Sequence, residues 1–247
     1  MQTIQIDSQD VHYRQLNAQI RSAIADGAEK VVVRNVCGQR YIGDGIRKKA
    51  TIEVFGTPGN DLAMFMNGPQ ILVHGNGQDG VGNTMTSGEI VIDGCAGDLL
   101  AHSLRGGQIF VRGGAGYRVA IHMKQYVEPV PTVVIGGTVG DYAGEYMAGG
   151  VLVILGLDRP PGKPLTGRYL GTGMHGGMMY LRGDVRDDQM GKEISRVPME
   201  NVDHERIKAL VERFSEHFGL NAGDILSEPF TKLMATSTRP YGRLYVY

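Results

Sequence analysis

Eight short apolar stretches recur along the chain: Val31-Val32-Val33, Ile52-Glu53-Val54, Ile71-Leu72-Val73, Ile90-Val91-Ile92, Ile109-Phe110-Val111, Val133-Val134-Ile135, Leu152-Val153-Ile154 and Met179-Tyr180-Leu181. Each runs through one further residue into a terminator: Asn35, Gly56, Gly75, Gly94, Gly113, Gly137, Gly156 and Gly183, at intervals of 21, 19, 19, 19, 24, 19 and 27 residues. A period near twenty predicts a supersecondary unit that buries its apolar face only by stacking on copies of itself. Positions four and two before each terminator share one face of an extended strand, and they hold only Val, Ile, Leu and Met. They predict the interior wall. The column three before the terminator is apolar or aromatic at seven of eight positions, the exception being Glu53. The outer face of the strands should therefore also be covered, by terminal helices or by a partner.

The flanks have helical periodicity. Leu16, Ile20 and Ile24 place a short amphipathic helix over Asp10–Ala25, stopped by Gly27 and set to cap the first coil. Ile207, Leu210, Val211, Phe214 and Phe218 place a second over Val202–Phe218, with Asn201 or Asp203 as N-cap and Gly219 as terminator. The tail returns through Pro229, Pro240 and Gly242 to Leu244-Tyr245-Val246-Tyr247, an end strand or docked arm. The chain thus divides into a helical cap (1–30), the array (31–184) and a C-terminal helix and arm (185–247). A right-handed parallel β-helix of about eight coils with helical additions satisfies the pattern. Leucine-rich, left-handed hexad and propeller repeats need frames that are absent.

Composition sharpens this picture. Glycine makes up 37 of 247 residues, about twice the usual share of roughly 7%, and 34 of the 37 lie between Gly27 and Gly191. Glycine or another small residue recurs at the corners as G-x-x-G-x-x-x-[small]: Gly56/Gly59/Ala63, Gly77/Gly80/Thr84, Gly94/Gly97/Ala101, Gly113/Gly116/Ala120 and Gly137/Gly140/Gly144, with Asn35/Gly38/Ile42 as a degenerate first copy. The net charge of −1 provides no basic field for nucleic acid or an anionic membrane, and Arg47-Lys48-Lys49 reads as a solvated turn. No apolar run approaches the ~18 residues of a membrane span, and the N-terminus has no secretory signal pattern. Two cysteines, Cys37 and Cys95, cannot supply a disulfide framework or the four thiolates of an iron-sulfur cluster. A reduced cytoplasmic setting follows as the expectation.

Candidate chemistry is sparse. Met66, Leu104, Met123, Met147 and Met174 form a column that reads as an internal stacking ladder, and His122 and His175 beside it lack a second histidine at ligand spacing. Asp98 and Asp141 each follow a second corner glycine and could line up as the carboxylates of a polysaccharide-acting β-helix. Asn60, Val81 and Tyr117 hold the other copies and tryptophan is absent, so corner capping is the expected role. No catalytic, cofactor-binding or metal-ligating residue is assigned. The interruptions Gln125–Pro131 and Leu157–Gly167 are proline-rich and are candidates for partner contact.

One stretch carries more. Gly144-Glu145-Tyr146-Met147-Ala148-Gly149-Gly150-Val151-Leu152-Val153-Ile154-Leu155-Gly156, followed by Gly171-Thr172-Gly173-Met174-His175-Gly176-Gly177, resembles the C-terminal GXGXG β-helix domain of glutamate synthase over roughly Val31–Gly183. Asn35–Gly43 and Gly82-Asn83-Thr84-Met85 resemble its stand-alone form, and the corresponding β-helix subunit of formylmethanofuran dehydrogenase shares the glycine spacing. The resemblance implies a structural motif of Gly56, Gly59, Gly94, Gly97, Gly113, Gly116, Gly137, Gly140, Gly144, Glu145, Tyr146, Met147, Gly149, Gly150, Gly173, Met174, Gly176 and Gly177. It implies a non-catalytic scaffold in an oxidoreductase complex that makes glutamate from glutamine and 2-oxoglutarate. The partners implied are a glutamine amidotransferase subunit and a synthase subunit carrying FMN and iron-sulfur. Equivalent scaffolds in formylmethanofuran dehydrogenase or N-methylglutamate synthase are the alternative. Gln2 leaves no N-terminal cysteine nucleophile, and no length remains for a (β/α)₈ barrel of ~250 residues, so the resemblance implies that the catalytic parts are separate polypeptides. In isolation, the apolar outer column would favour a homo-oligomer.

Overall fold

The computed structural model describes residues 2–126 and 128–238. Among these residues eleven strands form one sheet: β1 (Thr3–Asp7), β2 (Lys30–Cys37), β3 (Thr51–Thr57), β4 (Asn67–His74), β5 (Ser87–Ile92), β6 (Gln108–Val111), β7 (Thr132–Ile135), β8 (Ala148–Ile154), β9 (Gly176–Arg182), β10 (Ile194–Val197) and β11 (Phe230–Ala235). Their order is β1-β2-β3-β4-β5-β6-β7-β8-β9-β11-β10, parallel from β1 to β9 and antiparallel at β11 and β10. All eight strands read from the repeat are present, and they stack in the predicted register. Val31, Ile52, Ile71, Ile90, Ile109, Val133, Leu152 and Met179 are successive Cα partners. This column and the one two residues on line the interior of a parallel β-solenoid, each at most 1% exposed. Burying one such side chain contributes roughly 1.5–3 kcal/mol. Complete turns number about six rather than eight.

The side of each coil opposite the sheet is built differently. Three alternate residues per coil lie at positive φ: Tyr41/Gly43/Gly45, Asp61/Ala63/Phe65, Gly80/Gly82/Thr84, Leu99/Ala101/Ser103, Arg118/Ala120/His122, Tyr142/Gly144/Tyr146 and Tyr169/Gly171/Gly173. The alternation turns successive N–H groups to opposite neighbours. Leu99 N donates to Tyr117 O of the next coil (2.9 Å), Ala101 N to Val81 O of the previous one (2.8 Å), and Ser103 N to Ile121 O of the next (2.9 Å). The central member of each triplet faces inward and is Gly or Ala. This corrects the sequence register in two coils, where Gly43 and Gly82 hold the small position rather than Ile42 and Thr84. Behind it runs the predicted ladder of Met66, Leu104, Met123, Met147 and Met174, extended by Ile46 and Met85, all buried.

α1 (Tyr13–Ala25) caps the first coil through Leu16, Ile20 and Ile24, and the N-terminal region also contributes β1 to the sheet. α2 (Asn201–Phe218) follows N-cap Glu200, not Asn201 or Asp203, because the Asp203 carboxylate accepts from the Glu200 N–H at 2.8 Å. It ends at Gly219 with φ 63°. A short α3 (Ala222–Leu226) leads to β11, which lies between β9 and β10; the end strand or docked arm expected at Leu244–Tyr247 falls outside the described residues. The outer column is covered by the chain itself: Ile207, Leu210, Val211 and Phe214 of α2 and Ile225 of α3 pack on Val91, Phe110, Val134, Val153 and Tyr180. Coverage thins beyond β5, where Leu72 of β4 is only partly buried against this cluster. Over β2–β4 the same column turns partly polar, with Glu53 paired to Lys30 at 2.9 Å.

Candidate functional site

The residues of the E-Y-M-x-G-G stretch sit where the turn side of one coil re-enters the sheet, and the local backbone explains their order. Glu145 and Tyr146 project outward from the alternating turn while Met147 points into the ladder. Gly149 and Gly150 then form a bulge into β8, between the register pairs of Ala148 and Val151. One coil on, Gly173, Met174, Gly176 and Gly177 repeat the arrangement into β9. A Cβ on Gly173 would lie 2.5 Å from the Tyr146 ring, so this glycine makes room for the tyrosine stacked beneath it.

Around these residues the turn side presents a layered aromatic and ionic surface. His122 stacks on Tyr146 (centroids 5.3 Å apart, 7° between planes) and Tyr142 on Tyr169 (4.8 Å, 14°). The Arg118 guanidinium lies 5.0 Å from the Tyr142 ring and 3.1 Å from the Glu145 carboxylate. Burial, then the neighbouring His122, holds the His102 imidazole below its ordinary value, with Asp61 opposing. Tyr169, Phe65 and Leu99 are exposed here. This is a recognition surface in composition, rich in Tyr and Arg.

The corner residues are structural. Asp98 Oδ1 accepts from Tyr117 N and Asp141 Oδ1 from Arg168 N, each at 2.8 Å and each in the next coil. Asp79 does the same for Asp98 N at 2.9 Å, a member missed because the sequence aligned Val81 rather than Asp79 with this column. The partner position is glycine for space: a Cβ on Gly116 would lie 2.0 Å from Asp98 Oδ1, and one on Gly97 2.2 Å from Asp79 Oδ1. Gly56, Gly59, Gly94, Gly113, Gly137 and Gly140 likewise pack directly on the preceding coil. In the third coil the equivalent corner lies at Gln78, and Gly80 belongs to the turn triplet. Asp98 and Asp141 are thus engaged as caps, not presented as a carboxylate pair. Cys37 and Cys95 are exposed free thiols, and no group of three His, Cys, Asp or Glu converges to hold a metal among the described residues.

Two polar clusters that the sequence did not flag fasten α2 to the sheet. Asp203, 1% exposed, accepts from Tyr180 Oη (2.6 Å) and Lys232 Nζ (2.8 Å). Burial alone would raise its carboxyl, but Lys232, Tyr180 and the Glu200 N–H outweigh that and bring it down to about 2. Burial, then the bond to Asp203, pushes the Tyr180 hydroxyl up to about 12. Further along, Arg213 Nε donates to buried Glu89 at 2.9 Å, with His217 Nε2 at 3.5 Å from the same carboxylate. Their signal was faint, since only a charge within the apolar stripes marks them. A cavity of about 420 Å³ opens beside Gly150 and Gly177, with Glu128, Met178, Arg206 and Leu210 on its walls. Of the two interruptions, 157–167 is tied down through Leu165 and Thr166, both buried. In the other, Tyr126 is exposed and has Lys124 Nζ 4.8 Å from its ring.

Comparison with known proteins agrees with this geometry. The chain is 50% identical to an uncharacterized protein of Methanocaldococcus jannaschii, over 99% of this chain and 97% of that one. It is 35% identical to a ferredoxin-dependent glutamate synthase of Pyropia yezoensis and 32% identical to a chloroplastic one of Arabidopsis thaliana, over 36% and 41% of this chain. It spans only 6% of the length of each of these synthases. A chain in the crystal structure of the formyltransferase/hydrolase complex of Methylorubrum extorquens, with methylofuran, shares the fold at a TM-score of 0.63 and 17% identity, covering 92% of both chains. No helix among the described residues is long and apolar enough to cross a membrane. The model described as the GXGXG motif matches residues 9–238, and the chain belongs to that family.

Proposed function

We propose that this chain is a non-catalytic scaffold subunit of a cytoplasmic, glutamate-synthase-like complex that converts glutamine and 2-oxoglutarate to glutamate. It holds a glutamine amidotransferase subunit and a flavin and iron-sulfur synthase subunit in position, and FMN and iron-sulfur reside on those partners. One observation carries the reading: the polar residues of the family motif and the corner aspartates are committed to coil-to-coil contacts, with Glu145 on Arg118, Tyr146 on His122, and Asp98 and Asp141 on backbone amides. Residues so engaged build a surface rather than a reaction centre. The local similarity to two glutamate synthases supports this choice of complex. An equivalent scaffold in a formylmethanofuran-type complex is the second reading, favoured by the fold shared with a chain of the formyltransferase/hydrolase complex. N-methylglutamate synthase is a third setting for the same role.

Affinity purification of the tagged chain from its native cell tests the assignment. The expected result is co-purification of an amidotransferase and a flavoprotein, with flavin absorbance in the complex and none in the isolated chain. Flavin or glutaminase activity on the isolated chain would contradict it, and recovery of formyltransferase subunits would favour the second reading.

A further inference from the structure

The two ends of the sheet are unequal. At one end β10 is guarded: Arg196 pairs with Asp187 at 2.6 Å, and Pro198 follows the strand at once. Charge and proline are the usual devices that stop an edge strand from recruiting another chain. At the other end β1, Thr3-Ile4-Gln5-Ile6-Asp7, has neither lysine, proline nor a bulge, and among the described residues it pairs only with β2. Gln2 O accepts from Lys30 N (3.2 Å) and Ser8 N donates to Arg34 O (2.9 Å), which fixes the parity of the ladder. By alternation, the N–H and C=O groups of Thr3, Gln5 and Asp7 point away from β2, to the open edge.

That edge forms one side of a groove of about 640 Å³, with α1 as the other side. Its apolar lining comes from Ile4, Ile6 and Ala23, all half-buried. Its ionisable lining consists of two acids, Asp7 on the strand and Asp26 at the end of the helix. The Gln9 N–H and then the Asn35 amide hold the Asp7 carboxyl below its ordinary range.

We infer that the β1 edge is a binding site for an extended segment of another polypeptide, which adds as a further strand and carries basic side chains opposite Asp7 and Asp26. Main-chain bonds to Thr3, Gln5 and Asp7 supply the pairing. Alternate apolar side chains of the segment rest on Ile4 and Ile6, and the acids select its charge. A second copy of this chain fits less well, because the strand it would bring, β1, ends in an acid. The inference does not rest on the scaffold reading, since it requires no particular complex.

The test uses the full-length chain, labelled with ¹⁵N, and two heptapeptides, one alternating lysine with valine and one alternating glutamate with valine. The lysine peptide is expected to bind at least about tenfold more tightly. It should slow amide exchange at Thr3, Gln5 and Asp7 while leaving Ile4 and Ile6, already bonded to β2, unchanged. Q5P removes one outward donor without touching the β2 ladder and should weaken binding about tenfold. The double variant D7N/D26N, at exposed side chains, should bring the two peptides to within about twofold of each other, and it serves if Q5P does not fold. Equal binding of the two peptides, or binding without protection at those three amides, overturns the inference. Concentration-dependent protection of the three amides without peptide also overturns it, in favour of a second copy.

Discussion

The two sides of each coil meet the same stacking distance by different means. On the sheet side, ordinary strands bury Val, Ile and Leu on both faces, and side-chain burial holds the stack together. On the turn side, alternate residues lie at positive φ, and the stack is held by backbone hydrogen bonds that alternate up and down. Fourteen of those twenty-one positions are not glycine, at a cost of roughly 1 kcal/mol or more each. Such strain persists only where the neighbouring coils over-determine the backbone. The sheet side tolerates chemistry of the right size, whereas the turn side and its corners tolerate only shapes that fit. The turn side is thus suited to holding a rigid pattern of Tyr, His and Arg outward.

The largest expected effect lies where α2 closes over the sheet. D203N leaves Lys232 buried without its anion and should cost about 3–5 kcal/mol in chemical denaturation. The acid limb of stability should shift with it. Folded Asp203 titrates at about 2, below its unfolded value, so its contribution of roughly 2–3 kcal/mol is complete above the ordinary carboxylate range and is lost as pH falls from about 4 towards 2. In the variant that part of the pH dependence should disappear.

Next comes the corner. G116A pushes a methyl into the Asp98 carboxylate and forfeits its bond to Tyr117 N, for an expected loss of about 2–3 kcal/mol. D98A alone should cost about 1 kcal/mol, and the double variant clearly less than the sum, because the obstructing carboxylate is gone. Strict additivity would break the argument that this glycine exists to admit this aspartate.

The smallest effect separates the two sides by sign. At Phe65, exposed with φ 55°, the glycine variant should be more stable than the alanine variant by about 1 kcal/mol. At Thr51 on β3 the order should reverse by about 0.5–1 kcal/mol. Equal ranking at both sites would show that the positive-φ turns carry no strain.

This contrast also explains what could be read from the chain. Strand positions, register and both terminal helices follow from columns of apolar side chains, because burial writes itself into composition at fixed spacing. The turn side is less legible, since a positive φ is marked only when glycine fills it: Gly80, Gly82, Gly171 and Gly173 mark it, while Leu99, Ala101 and Ser103 do not. The same ambiguity displaced the third coil, where Gly77 and Gly80 imitate the corner spacing although the corner lies at Gly75 and Gln78. β10 and β11 escaped notice because they close the solenoid once and belong to no repeat. The Asp203 and Glu89 anchors join residues 29 and 124 positions apart, a separation that no local pattern records.

In the proposed function this chain organises other subunits and performs no chemistry. The most direct test of that role is to mix separately purified amidotransferase and flavoprotein subunits with and without it, following assembly mass and glutamine-dependent glutamate formation together. Each half-reaction should survive without the chain, while the assembled mass and the coupled reaction should appear only when it is added. Loss of either half-reaction in its absence, or full assembly and coupling without it, would contradict the account.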